Sequence, residues 1–379
     1  MQYRKFGQCD FTVSTLGFGS MRFPVIDNDS SKINEEEAIS MIRHAVDNGV
    51  NYIDTAYPYH SGNSEILVGK ALQDGYRKKV RLATKSPVWL IKEYADFEKY
   101  LNEQLTKLQT NYIDFYLLHA LNKERFESLK NNNVFKFLDE AIVSGKIKYA
   151  GFSFHDEEDV FYEIANSYPW TFCQIQLNYM DVEYQAGLRG LKYAAEKGMA
   201  VVIMEPLKGG KLAGTPPTEV KELFEGYDSN RTPAHWALKW LYNFPEVTTV
   251  LSGMSTMEQL KENLIIASQC TENSMNNEEL EIMNKAKNAY LTLTKVNCTG
   301  CNYCQPCPFE VDIPRNFEIY NEGHIFNTLE NSTHVYNNLM PKNKTAANCV
   351  ECGKCEDECP QNLPIRKLLK DVHNSLSKK

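Results

Sequence analysis

Between residue 14 and about residue 268, short apolar runs of β type alternate with amphipathic stretches whose apolar positions recur at helical spacing. The runs at 15–20, 51–56, 81–86, 112–119, 147–154, 172–178, 200–206 and 247–253 predict strands. The stretches at 34–48, 94–108, 134–143, 186–197 and 233–242 predict helices between them. Gly49, Gly145 and Gly198 fall where helix C-termini favour a residue that tolerates left-handed backbone. Eight strand–helix pairs in about 250 residues match the count and size of a (β/α)8 TIM barrel, an α/β fold. An open, doubly wound sheet is the alternative. It would need G-x-G-x-x-G opening the helix after its first strand, and Gly17-Phe18-Gly19 lacks the third glycine and the downstream acidic residue.

The pattern breaks in two places. The stretch 207–232 is long and rich in Gly and Pro, which predicts a functional loop or an insertion between the seventh strand and its helix. After about residue 290 the periodicity fades and cysteine takes over. Eight of the eleven cysteines form two runs: Cys298, Cys301, Cys304, Cys307 before Pro308, and Cys349, Cys352, Cys355, Cys359 before Pro360. Three thiolates at C-x2-C-x2-C fold around one iron–sulfur cube, and a cysteine before proline closes a cluster from a distant segment. A zinc site would more often take two close cysteines from each of two loops. The expectation is a small, mostly helical domain at 290–379 holding two [4Fe–4S] clusters, appended to a barrel at 1–289. The first run ends in x2-Cys-Pro rather than x3-Cys-Pro, which leaves the cross-ligation of Cys307 and Cys359 open.

Composition narrows the function. The net charge of −8 over 379 residues gives no electrostatic footprint for nucleic acid. The longest apolar stretches, such as 200–204, are strand-sized, well short of the ~20 residues of a membrane span. The start, MQYRKFGQCDFTV, has no apolar run of signal-peptide type, so reduced thiols and a cytoplasmic location are expected.

Barrel enzymes gather their chemistry at the C-terminal ends of the strands. Here those ends carry Asp54 followed by Tyr57, Tyr59 and His60, then Lys85, His119, Ser153 with His155, and Glu205. Gln174, Gln176 and Asn178 share one face of the sixth strand by period two. Asp54, Tyr59, Lys85 and His119 make chemical sense as a set. An ammonium near a phenol lowers its pKa, a carboxylate holds the ammonium, and a neutral imidazole orients a carbonyl oxygen. Arg22, Phe23, Trp89 and Tyr57 either line a pocket or pack.

NYIDTAYPYHSGNSE, RLATKS, YLLH and GFSFH resemble the strand-end motifs of the aldo-keto reductase family over roughly residues 1–270. The resemblance implies NAD(P)H as cofactor, a small carbonyl or alcohol as substrate, and Asp54, Tyr59, Lys85 and His119 as catalytic tetrad with Tyr59 the acid/base. It further implies that Ser153 and Gln174 hold the nicotinamide carboxamide. Gly19, Ser20 and Met21 would lie near the nicotinamide ring beside Asp54, Leu207 near the diphosphate, and Asn263 at the adenine. Phe154 stands where the family often has Asn. Gly253 and Gln259 stand where NADP-preferring members carry Lys and Arg, which weakens recognition of a 2′-phosphate. The cysteine tail is similar to that of a subgroup with an appended ferredoxin domain. An NAD(P)-dependent oxidoreductase with a redox protein partner for its clusters is therefore expected. A non-catalytic cofactor-binding sensor or electron-transfer subunit is the alternative.

Overall fold

Eight parallel strands close on themselves, as the alternating pattern predicts. The computed structural model describes residues 1–298, 300, 303–359 and 361–377. A hairpin comes first, β1 (Tyr3–Lys5) and β2 (Thr12–Ser14). The barrel follows: β3 (Leu16–Gly19), β4 (Tyr52–Asp54), β5 (Arg81–Ser86), β6 (Ile113–Leu121), β7 (Ile147–Phe154), β8 (Phe172–Gln176), β9 (Ala200–Met204) and β10 (Thr249–Gly253). Strand β10 pairs with both β9 and β3 and closes the ring. The open doubly wound sheet is thereby excluded.

The predicted helices form, and two of them carry side-chain caps at their starts. Asn34 caps Glu35–Asp47, and a Glu93/Asp96 capping box starts Tyr94–Lys107. Gly49 (φ +95°), Gly145 (φ +75°) and Gly198 (φ +81°) take the left-handed backbone expected just beyond helix ends.

The hairpin carries no signal in the sequence pattern, because each strand is only three residues long. Its function is packing. Phe6, beside it, is fully buried among Val13, Tyr52, Ala83, Phe115, Phe172 and Ala200. Its ring stacks on Phe115 at 4.3 Å between centroids. Tyr52, Phe172 and Ala200 open their strands, so this cluster closes the N-terminal end of the barrel and leaves the other end for chemistry. Full burial of a phenylalanine is worth ~1.5–3 kcal/mol.

Packing divides the chain into two compact units: Met1–Gly210 with Ala234–Asn276, and Lys211–Pro233 with Asn277–Lys379. A cut at 289/290 falls inside the helix Asn277–Thr292, which packs on the helix Thr218–Asp228 of the same unit. The stretch 207–232 is thus only partly loop. Val220 and Phe224 are buried on the Thr218–Asp228 helix despite the Gly- and Pro-rich approach.

The cysteine-bearing unit is helical, as expected. Helices Ile313–Ile325 and Ile365–Leu376 bury Ile313, Phe317, Ile319, Ile365, Leu369, Val372 and Leu376 in a core of its own. Among the described residues, no helix is long and apolar enough to cross a membrane.

Candidate active site and cysteine cluster

Parallel register levels the strand ends. Gly253 pairs with Gly19, Gly19 with Asp54, and Ser153 with Gln174. These strand ends open onto one cavity of about 350 Å³, lined among others by Gly19, Met21, Arg22, Asp54, Tyr59, His119, Ser153, His155, Gln174, Glu205, Leu207 and Gly253. All four expected tetrad residues meet in this region, with Lys85 buried directly behind the wall.

Lys85 Nζ donates to Asp54 Oδ1 at 2.6 Å, to the Thr55 carbonyl at 2.9 Å, and to Tyr59 Oη at 3.4 Å. Burial opposes the Lys85 charge, but Asp54 and Tyr59 outweigh it, so its pKa moves up and the ammonium stays charged. Burial also raises Asp54, against the pull of Lys85. Tyr59 corrects an expectation. Lys85 does favour its phenolate, but burial is the larger effect, and the net direction is upward. Burial, then the Lys85 charge, holds His119 well below the ordinary imidazole range, so the ring is neutral. Its Nδ1 is buried without a partner. The ring sits between Tyr59, 6.1 Å away, and Trp89, 5.3 Å away.

Other expected contacts divide. Gln174 donates to Met204 Sδ at 3.4 Å and leaves its buried Oε1 without a partner. Ser153 Oγ accepts from the Ala120 amide at 2.7 Å, which leaves its own proton free to be donated. Ser20, Gln259 and Asn263 do not line the cavity. Ser20 is fully buried. Gln259 Oε1 accepts from the Ser255 amide at 2.8 Å, and Asn263 Nδ2 donates to Ser252 Oγ at 2.9 Å. Of the undecided residues, Arg22 lines the cavity and Trp89 stands exposed beside His119. Phe23 is buried, and Tyr57 is held by Glu103 at 3.1 Å with the Lys107 ammonium over its ring at 4.0 Å.

Two supports went unread in the sequence. His60 accepts from the Phe23 amide at Nε2 (3.3 Å), so its ring proton lies on Nδ1 and is donated to the Ser30 carbonyl at 2.7 Å. That bridge pins the loop carrying Tyr59, where His60 and Ser61 both have positive φ. Behind Lys85, the fully buried Glu65 Oε1 accepts from Thr84 Oγ1 at 2.7 Å and Gln104 Nε2 at 2.6 Å. Gln104 Nε2 also donates to the Lys85 carbonyl at 3.0 Å. One signal was available: Gln104 interrupts the buried stripe Phe97, Leu101, Leu108.

In the second unit, Cys304, Cys307, Cys349, Cys352 and Cys355 line a cavity of about 470 Å³. Cys298 and Cys359 are partly buried and pack, with other cysteines of the two runs, on the helical core. Cys301 lies outside the described residues. One helix organises both runs. Buried Asn316 donates to the Asp312 and Lys344 carbonyls and accepts from the Ala346 amide at 2.8 Å, just ahead of Cys349. Asn321 accepts from the Lys295 and Val296 amides and donates to the Val296 carbonyl, just ahead of Cys298.

Residues 15–285 match the model of the aldo/keto reductase family, and residues 297–363 match a 4Fe-4S dicluster domain. The chain is similar to a probable aldo-keto reductase 1 of Glycine max, 27% identical over 69% of this chain and 82% of that one. It is also similar to L-galactose dehydrogenase of Arabidopsis thaliana, 26% identical over 74% and 92%. Among solved structures, the holo form of aldo-keto reductase AKR11C1 from Bacillus halodurans superposes with a TM-score of 0.63 at 27% identity, covering 76% of this chain and 96% of that one.

Proposed function

The chain belongs to the aldo/keto reductase family, and from that premise we propose that it interconverts a small carbonyl and an alcohol with NAD(P)H, and carries two [4Fe–4S] clusters. The observation that carries the first part is the buried Asp54–Lys85 pair reaching the partly buried Tyr59 on the cavity wall.

The cavity suits a nicotinamide ring. Gln174 offers an unpartnered buried oxygen to a carboxamide N–H, and the Ser153 hydroxyl has a free proton for the carboxamide oxygen. Gly19 and Met21 with Asp54, Leu207 and Gly253 would wall the cofactor site, with Ser20, Gln259 and Asn263 just outside this cavity. A dihydronicotinamide bound there would supply the hydride that the carbonyl carbon accepts. This chain's residues do the rest. His119, neutral, donates a hydrogen bond to the carbonyl oxygen and fixes its direction. Tyr59 Oη gives that oxygen its proton. Lys85 steadies the phenolate left behind, and Asp54 keeps Lys85 charged in place. In oxidation the phenolate takes the proton back.

In the second unit, the cavity walled jointly by Cys304 and Cys307 of the first run and by Cys349, Cys352 and Cys355 of the second supports a cluster that draws on both runs. A redox protein partner would exchange single electrons with this unit.

The test is turnover of an aldehyde panel with NADH and NADPH, alongside a direct binding titration of both. Turnover lost in Tyr59→Phe with binding retained is the expected result. Binding without turnover on any substrate in the wild type would replace the enzyme with a cofactor-binding sensor or electron-transfer subunit.

A further inference from the structure

A dinucleotide brings a diphosphate with two negative charges, and a protein site for it needs cationic or free amide donors. The two lysines of the loop after β9 are already engaged. Lys208 Nζ contacts both Asp181 oxygens, at 2.7 and 2.9 Å. Lys211 pairs with Glu322 at 2.5 Å. Two glycine amides of the loop are engaged as well. Gly209 N–H donates to Glu205 Oε2 at 2.6 Å, and Gly210 N–H to the Leu207 carbonyl at 2.9 Å.

Arg22 is different. It lines the cavity and is exposed, and among the described residues it makes no salt bridge. Its stem crosses the end of β10 over Gly253: a Cβ built there would meet Arg22 Cγ at 3.0 Å and Cβ at 3.1 Å. Its Nη2 reaches the other side of the groove, 3.5 Å from where a Cβ on Gly209 would stand. Ser255 Oγ donates to the Arg22 carbonyl at 2.9 Å and fixes the backbone. Gly253, which reads in the sequence as a lost cation, is in the fold the slot through which another cation enters the groove.

We infer that Arg22 grips the diphosphate of the nicotinamide dinucleotide, with its stem lodged on Gly253. This rests on the dinucleotide-dependent reading above. Because NADH and NADPH share the diphosphate, Arg22 strengthens both alike and does not select between them.

The test is a binding titration, by fluorescence or calorimetry, of anaerobically purified full-length protein with NADH, NADPH and inorganic pyrophosphate as competitor. Arg22→Gln should weaken both dinucleotides by a similar factor, about tenfold or more, and abolish competition by pyrophosphate. Arg22→Lys should recover part of the loss, since a point charge keeps attraction but not the fork. Gly253→Ala, which crowds the stem without removing the charge, should weaken both several-fold. An exposed Arg22 predicts an unchanged melting temperature in the first two variants. Loss confined to NADPH would assign Arg22 to the 2′-phosphate and overturn the inference, as would unchanged binding of both. A wild type that binds neither dinucleotide would instead overturn the functional reading itself.

Discussion

Lys85 Nζ sits 2.6 Å from Asp54 Oδ1 with the two side chains 0% and 3% exposed. Such a pair holds geometry and protonation together. Removing one partner strands a buried charge, at a cost of ~3–5 kcal/mol, whereas trimming the phenol next to it strands none. Asp54→Ala should therefore lower both stability and activity. Tyr59→Phe should leave the melting temperature near wild type and cost ~10²–10⁴-fold in turnover. Denaturation curves read beside steady-state rates separate the two. Near-normal turnover in Tyr59→Phe would remove the phenol from the mechanism.

The pH profile follows from the directions of the shifts. Burial lifts Tyr59 above its ordinary value of 10, so its phenol stays protonated through neutral pH and loses its proton only as pH rises through that raised value. His119 is shifted down and is already neutral above the ordinary 6.5. Carbonyl reduction should therefore run flat from about pH 7 to 9, with kcat/KM falling only in strong alkali, while alcohol oxidation, which needs the phenolate, should rise with pH. A break near 6.5 in kcat/KM would show a charged imidazole at work.

Glu65 tests the scaffold behind the site. Its Oε1 accepts hydrogen bonds from both Thr84 and Gln104, all in the dry interior. Glu65→Ala leaves those donors unsatisfied and should cost ~2–4 kcal/mol. Glu65→Gln, of equal size and uncharged, should cost less. Chemical denaturation of the two variants compares them directly.

Metal content tests the second unit. Anaerobically purified protein should be brown and carry about eight irons with matching sulfide, two clusters of four. Cys352→Ser should lose cluster absorbance and unfold the cysteine-bearing unit before the barrel, because each has its own core. Zinc in place of iron and sulfide would end the cluster assignment.

Electron bookkeeping gives one more outcome. A hydride carries two electrons and each cluster accepts one, and the sequence carries no flavin signature to bridge them. In stopped-flow under nitrogen, dithionite should bleach the iron–sulfur absorbance, and NAD(P)H alone should not do so at the rate of turnover. Fast bleaching in flavin-free protein would establish direct exchange between the barrel site and the clusters.

The periodic sequence determined the barrel, since alternation of strand and helix over eight repeats is written in neighbouring residues. The strand ends at Asp54, Lys85, His119, Ser153 and Gln174 were readable for the same reason: parallel register brings equivalent ends to one level. Cysteine spacing marked the second unit because three of a cluster's four ligands sit close along the chain. Tertiary structure alone decided the rest. That β1 and β2 close the barrel floor, that Glu65 braces Gln104 across 39 positions, and that Gly253 makes room for Arg22 are contacts between residues far apart in sequence. The direction of the Tyr59 shift belongs with them. Sequence supplied the lysine that favours phenolate, but only the packed site showed how much water is excluded, and burial is the larger effect.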